Sequence, residues 1–301
     1  MKNGFAAACV SLILALSPCP VRSAAAPDAA SVDLEIPNRV PQGGLIRGRL
    51  PVGSQLALLP PAPSGSEPQA ATEAGLAVRV AGDGWFVIGV GRDASGQVRL
   101  AVTLPDKSQK LVAIAIVPRE WQIERIDGVP ESTVNPPPEL AARIEREQAE
   151  VSRARERDDD RSDFEASFTW PIHGRVSGVY GSQRIYNGTP KSPHSGLDVA
   201  AAKGTPVRAP AGGIITFANP DLYLTGGTVL VDHGHGLSSS FLHLSRIDVH
   251  VGERVEQGQV IGLVGATGRA TGPHMHWGLN WFGVRVDPQL LLEPATAPAR
   301  P

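Results

Sequence analysis

The sequence predicts a mainly β protein: a small antiparallel β-sandwich, then a charged linker helix, then a second β-rich domain. Three observations predict it. Short runs rich in Val, Ile and Leu recur along most of the chain, broken by Gly, Pro and Asp clusters. The 33 Gly and 27 Pro among 301 residues supply turns rather than helix interiors. One stretch alone, 139–164, reads as a long helix.

Residues 1–26 read as a secretory signal peptide. Lys2 gives a short positive start, 5–16 are apolar but too few to span a bilayer as a mature helix, and 23–26 are small enough for cleavage. The only cysteines, Cys9 and Cys19, lie in this leader, so a mature chain has no disulfide and no thiolate for a metal. Acylation of Cys19 in "LSPC" is the alternative, which Pro18 disfavours. The expectation is an exported protein without a transmembrane helix in the mature chain: periplasmic first, otherwise secreted or lipid-anchored. A formal charge of −2 gives no ground for a nucleic-acid partner.

Residues 31–118 carry "LIRGRL", "AVRVAG", "WFVIGV", "VRLAVTL" and "LVAIAIV", the spacing of a small sandwich. This part has no catalytic constellation and reads as an accessory module. A linker, 119–164, follows. Its segment "ELAARIEREQAEVSRARERDDDRSDF" favours helix, with Pro before it and only Leu140, Ile144 and Val151 as an apolar stripe. The plain expectation is a solvated helix. The alternative is a regulatory helix packed near the site of the next domain. Residues 165–292 return to strands, including "GGIITFAN", "GTVLVDHG", "LSSSFLHL" and "HMHWGLNW". A Pro/Ala-rich tail, 293–301, ends the chain.

Seven of the eight histidines fall in 194–276, which in a β domain without thiolates raises the case for a His/carboxylate metal site. His274 and His276, two apart in "TGPHMHWGL", share one strand face. His194 and Asp198 in "HSGLD" lie four apart, again one face if the segment is a strand. Alone each pattern is weak; together they offer the three protein ligands and open position of a catalytic zinc. His233 and His235 in "DHGHG" are also His-x-His, but flanking glycines read as a hairpin turn, a poor platform for two ligands. His250 reads as an exposed strand residue and His173 as a loop residue. His243 in "SFLHLS" is placed on the face of Phe241, with Leu242 and Leu244 opposite. It reads either as a satisfied core histidine or as an imidazole facing the metal. "GLVGATGRATGPH" lacks the Gly-Lys-Ser/Thr of a phosphate loop and reads as a turn delivering His274 and His276.

"HSGLD", "FLHL" and "TGPHMHW", in that order, resemble the M23 (LytM/lysostaphin-like) zinc metallopeptidases, over residues 170–288. The resemblance implies a C-terminal domain of LytM type that cuts peptide bonds in bacterial peptidoglycan. It implies Zn2+ held by His194, Asp198 and His276, and His243 and His274 as catalytic histidines. From the residue types, His274 could accept the proton of the attacking water and His243 donate to the oxyanion or leaving amine, and which of the two is the general base stays open. Peptidoglycan stem peptides are the implied partner, with a D-Ala–diaminopimelate cross-link or a glycine bridge as the target, the former favoured by the N-terminal half, and a cell-wall amidase or adaptor as a candidate protein partner. Some relatives lack these residues and only activate amidases. That non-catalytic role is the competing reading, and the intact motif positions argue against it.

Overall fold

The structure, a computed structural model, describes residues 34–61, 75–127 and 137–292. The expected leader and tail lie outside the described residues. Among the described residues no helix is long and apolar enough to cross a membrane.

The N-terminal part is built from β1 (Arg39–Pro41), β2 (Leu45–Arg49), β3 (Gln55–Leu59), β4 (Leu76–Val78), β5 (Trp85–Gly89), β6 (Gln97–Thr103) and β7 (Gln109–Val117). A five-stranded sheet in the order β1-β7-β6-β3-β4 accompanies a two-stranded ribbon, β2-β5. Alternation explains the burial: Leu100 and Val102 of β6 are buried two residues apart, as a one-sided sheet requires. The expected antiparallel arrangement needs one correction. β1 runs parallel to β7, with Arg39 opposite Ala115. No hairpin joins these two strands; the whole of β2 to β6 intervenes, and such a long connection permits parallel pairing.

The stretch expected to be linker is partly packed. β8 (Ile123–Ile126) pairs in parallel with β10 (Gln183–Tyr186) of the C-terminal part. Just before it, the Trp121 ring lies 4.9 Å from the Arg92 guanidinium and 4.6 Å from that of Arg119, and meets Tyr180 edge-on. The helix is α1 (Pro138–Ala154), with Pro in its first turn and Arg153 in its last. None of its residues is buried. Polar contacts hold it: Arg143 donates to the Asp221 carbonyl at 2.9 Å, and Glu147 Oε2 accepts the Tyr223 N–H at 2.8 Å.

The C-terminal part adds β9 (Arg175–Gly178), then, after β10, β11 (Thr189–Pro190), β12 (Gly196–Ala200), β13 (Pro206–Arg208), β14 (Gly213–Leu222), β15 (Gly226–Asp232), β16 (Leu237–Ile247), β17 (Arg254–Val255), β18 (Val260–Val264), β19 (His274–Trp281) and β20 (Val284–Val286). The main sheet runs β17-β14-β15-β16-β19-β12-β9 and is antiparallel throughout. One face packs Leu197, Phe241, Met275, Trp277 and Leu279 into a core continuous with Phe86, Ile46 and Leu100 of the N-terminal part. Each such large buried side chain stabilises by roughly 1.5–3 kcal/mol. Gly89 of β5 lies against Trp281, where a Cβ would stand 2.6 Å from the Trp281 Cβ; glycine is what lets the two strands approach there. The opposite face of β16 and β19 carries Ser240, Leu242, His274 and His276.

Candidate metal centre

β12 and β19 place the first group. They are antiparallel neighbours with Asp198 opposite His276 and Ala200 opposite His274. Residues opposite each other point to the same face, so Asp198, His274 and His276 meet by register alone. Asp198 Oδ1 is 2.8 Å from His276 Nδ1 and 3.9 Å from His274 Nε2. His194 arrives differently from the sequence expectation. It lies outside β12, which begins at Gly196, so the four-residue spacing does not act through strand alternation. Instead its N–H bonds the Ser182 carbonyl, and its ring Nδ1 donates to the Val179 carbonyl at 3.0 Å. That leaves Nε2 with its lone pair 3.2 Å from Asp198 Oδ1 and 3.1 Å from His276 Nδ1.

Three donor atoms, one each from His194, Asp198 and His276, therefore lie within 4.8 Å of one another. Two nitrogens and one carboxylate oxygen, with no thiolate, suit a borderline divalent cation such as zinc. A fixed Val179 carbonyl behind His194 is the outer hydrogen bond that such a ligand ordinarily has. Burial alone would raise the Asp198 carboxyl. The two imidazoles against it, His194 and His276, outweigh it and hold the group well below the usual carboxylate range. Burial lowers the His276 pKa, partly offset by Asp198, so the ring tends to the neutral form a ligand needs.

Glycines make room. A Cβ on Gly178 would stand 2.6 Å from Asp198 Oδ2, and one on Gly196 2.3 Å from the Trp277 carbonyl and 2.8 Å from His276 Nε2.

The other two histidines stand beside this cluster. His274 donates from Nδ1 to the Gly272 carbonyl at 2.8 Å, and His243 from Nδ1 to the Thr267 carbonyl at 2.8 Å. Both rings therefore offer Nε2 as an acceptor in their neutral forms. Their centroids are 4.7 Å apart. Burial pushes the His243 pKa down to about 4. The expected alternation fails at His243. Phe241 is buried in the core, while His243 has a φ of 64° and turns to the His274 side, the face of Leu242, whose register partner is His276. A positive φ in a residue with a side chain costs of order 1–3 kcal/mol and clusters at functional sites. Alternation could not foresee it. The Thr267 and Gly272 carbonyls that set both tautomers, and the Val179 carbonyl, carry no sequence signal, being backbone atoms.

The remaining histidines are elsewhere. His233 is a core residue, its Nδ1 donating to the Gly212 carbonyl at 2.7 Å and its Nε2 2.8 Å from Ser239 Oγ. His235 sits in the tight turn between β15 and β16 with a φ of 50°. His250 is exposed and ion-paired to Glu253 at 2.9 Å, in a turn rather than a strand. His173 is an exposed loop residue. Trp277 is fully buried, its Nε1 donating to Ser239 Oγ, and so is a core residue.

A cavity of about 710 Å³ adjoins the site on the same sheet face, lined by His276, Ser240 and Asn280 on one side and by Ile144, Glu147 and Val151 of α1 on the other. The helix is thus not simply solvated: it roofs a groove that begins at His276.

Comparison with known proteins agrees with this architecture. A family model described as peptidase family M23 matches residues 192–288. A crystal structure of a putative M23 peptidase from Pseudomonas aeruginosa is 32% identical, with a TM-score of 0.62, and the match covers 85% of this chain and 96% of that one. The chain belongs to peptidase family M23. Two curated relatives match over about a third of the chain. Peptidoglycan DD-endopeptidase ShyA of Vibrio cholerae is 40% identical over 114 residues, 38% of this chain and 26% of ShyA. DD-carboxypeptidase/endopeptidase Mpg of Neisseria meningitidis is 44% identical over 95 residues, 32% of this chain and 22% of Mpg. The matches thus span about a quarter of those relatives' length. The chain thus carries an M23 peptidase-family domain, and proteins named peptidoglycan DD-endopeptidases are among its homologues.

Proposed function

We propose that this M23 member is an exported zinc metalloendopeptidase that hydrolyses peptide cross-links in bacterial peptidoglycan, D-Ala–diaminopimelate bonds first. The periplasm is the compartment where that substrate and a cleavable leader would meet. The observation that carries the reading is the convergence of His194 Nε2, Asp198 Oδ1 and His276 Nδ1, with two further imidazoles beside them.

His194, Asp198 and His276 would hold the zinc. Zinc, when bound, supplies a Lewis acid that acidifies water and polarises the scissile carbonyl. The chain's own residues supply the proton chemistry. His274 presents Nε2 toward the cluster and takes a proton from the attacking water. His243 protonates the leaving amine. Burial leaves its ring neutral, so Nε2 must first take up the proton released by the attacking water, and a ring that holds that proton weakly passes it on to the amine readily. Backbone carbonyls fix both tautomers, so neither ring must reorient between steps. Asp198, ionised by its two histidine partners, neutralises part of the cation's charge.

The deciding experiment is mass spectrometry of purified sacculi digested with and without chelator, beside the zinc content of the protein. Released muropeptides that disappear with chelator support the reading. A zinc-free protein that releases nothing yet stimulates a cell-wall amidase overturns it in favour of the activator role.

A further inference from the structure

The groove beside His276 holds two arginines that pair with neither of its two acidic residues, Glu147 and Glu156. Arg155, at the C-terminal end of α1, and Arg285, on β20, both line it. Neither guanidinium has an ion pair or a side-chain hydrogen bond among the described residues, and Arg155 Nε is sealed from solvent with no partner. Of the two acids, Glu147 is committed: Oε1 accepts from Arg143 at 2.6 Å and Oε2 from the Tyr223 N–H. Glu156 lines the same space but is within ion-pair distance of neither arginine. Burial and the charge of Arg285 push the Arg155 pKa down to about 10, and burial lowers that of Arg285. Arg285 is reachable from the cavity, yet the protein packed around it still disfavours its charge. Arg285 is exposed to the groove and Arg155 is partly buried with its Nε sealed, so an anion entering this space would meet two guanidinium groups that no carboxylate among the described residues pairs with.

Resting on the peptidase reading above, we propose that Arg155 and Arg285 form a carboxylate subsite that binds a free carboxylate of the substrate peptide and registers the scissile bond at His276. The planar guanidinium fork matches a carboxylate bidentately. The volume suits a short peptide segment rather than a lone ion. The cavity reaches His276 directly, so an anchored carboxylate lies within a few residues of the bond to be cut. The subsite also gives α1 a role: the helix end brings Arg155 over the sheet, so helix and sheet grip the same group. A peptide carboxylate has two sources, a C-terminal α-carboxylate or a side-chain carboxylate, and the test separates them.

The full chain, loaded with zinc, is given one cross-linked peptide in three forms: all carboxylates free, C-terminus amidated, and side-chain carboxylate amidated. The wild type is expected to lose about tenfold or more in kcat/KM, mainly through KM, on one amidated form alone, and that form names the source. Arg285→Gln and Arg155→Gln should cut free and amidated peptides alike. Arg285→Lys should restore part of the preference, which a merely structural role would not produce. A wild type indifferent to all three forms, or an Arg285→Gln that keeps the wild-type preference, overturns the subsite. Calorimetric binding of an uncleavable peptide, N-methylated at the scissile amide, decides the matter independently of turnover. If the wild type cuts nothing, the peptidase reading fails. The subsite then stands only if wild type binds the free peptide more tightly than the amidated one and Arg285→Gln does not. Equal binding of inorganic phosphate and peptide would mean a generic anion pocket and also overturn it.

Discussion

Asp198 and His276 are register partners on adjacent strands, and Asp198 Oδ1 lies 2.8 Å from His276 Nδ1. One carboxylate oxygen thus sits against two imidazoles, since His194 Nε2 is 3.2 Å from it. Replacing Asp198 with Asn keeps the shape and removes the charge. Asp198→Asn is expected to lower zinc affinity by more than the roughly 10–100-fold that loss of an outer hydrogen bond costs. Zinc competition with a chromogenic chelator measures it, and full retention of zinc would remove Asp198 from the ligand set.

His243 and His274 are assigned to proton transfer rather than to the metal. His243→Ala and His274→Ala are each expected to bind zinc at wild-type stoichiometry while losing roughly 10²–10⁴-fold in turnover. Metal analysis and kinetics on the same samples separate the two roles. A variant that loses zinc, or one that keeps its rate, contradicts the assignment.

Gly178 faces the Asp198 carboxylate from β9. A methyl there would stand 2.6 Å from Oδ2, closer than real contacts allow, and the neighbour must shift. Gly178→Ala is expected to leave the circular dichroism spectrum intact and weaken zinc binding by displacing Asp198. Unchanged affinity would show that the carboxylate has slack.

His233 is a buried neutral histidine whose pKa is pushed down to about 4 by burial, against an ordinary value of 6.5. The unfolded chain binds a proton near pH 6.5 that the folded chain refuses until about pH 4. Unfolding therefore takes up a proton in that window, and stability falls as pH drops through it, by about 3 kcal/mol for this residue. Urea unfolding of wild type and His233→Asn between pH 7 and 4.5 checks this. The variant's stability should be less steep in pH, and its zinc content unchanged, since His233 is 2.8 Å from Ser239 and serves the core.

Much of this was legible in the sequence. The period-two patterning of runs such as "VRLAVTL" and "HMHWGLNW" determined strands, and the charged stretch at 139–164 located the helix, which ends at Ala154, ten residues short of that expectation. His274 and His276 were joined to one face by strand geometry alone, because side-chain alternation is a local property. Local rules fail where the backbone leaves the ideal strand. His243 was assigned to the face of Phe241, and a φ of 64° put it on the other. His194 was assigned to a strand with Asp198, yet long-range bonds to Val179 and Ser182 place it. The parallel pairings of β1 with β7 and of β8 with β10 join segments far apart in sequence, and patterning says nothing about partners at that range.

What the sequence determined by itself was therefore the inventory: strands, the charged helix, and five residues of the right chemistry, of which only His274 and His276 were joined by local spacing. What only the tertiary structure decided was convergence. Sheet register set Asp198 against His276, backbone carbonyls chose the histidine tautomers, and the roof of α1 put Arg155 over the same groove as Arg285. Each of these depends on atoms far apart along the chain, and strand alternation carries no information across such separations.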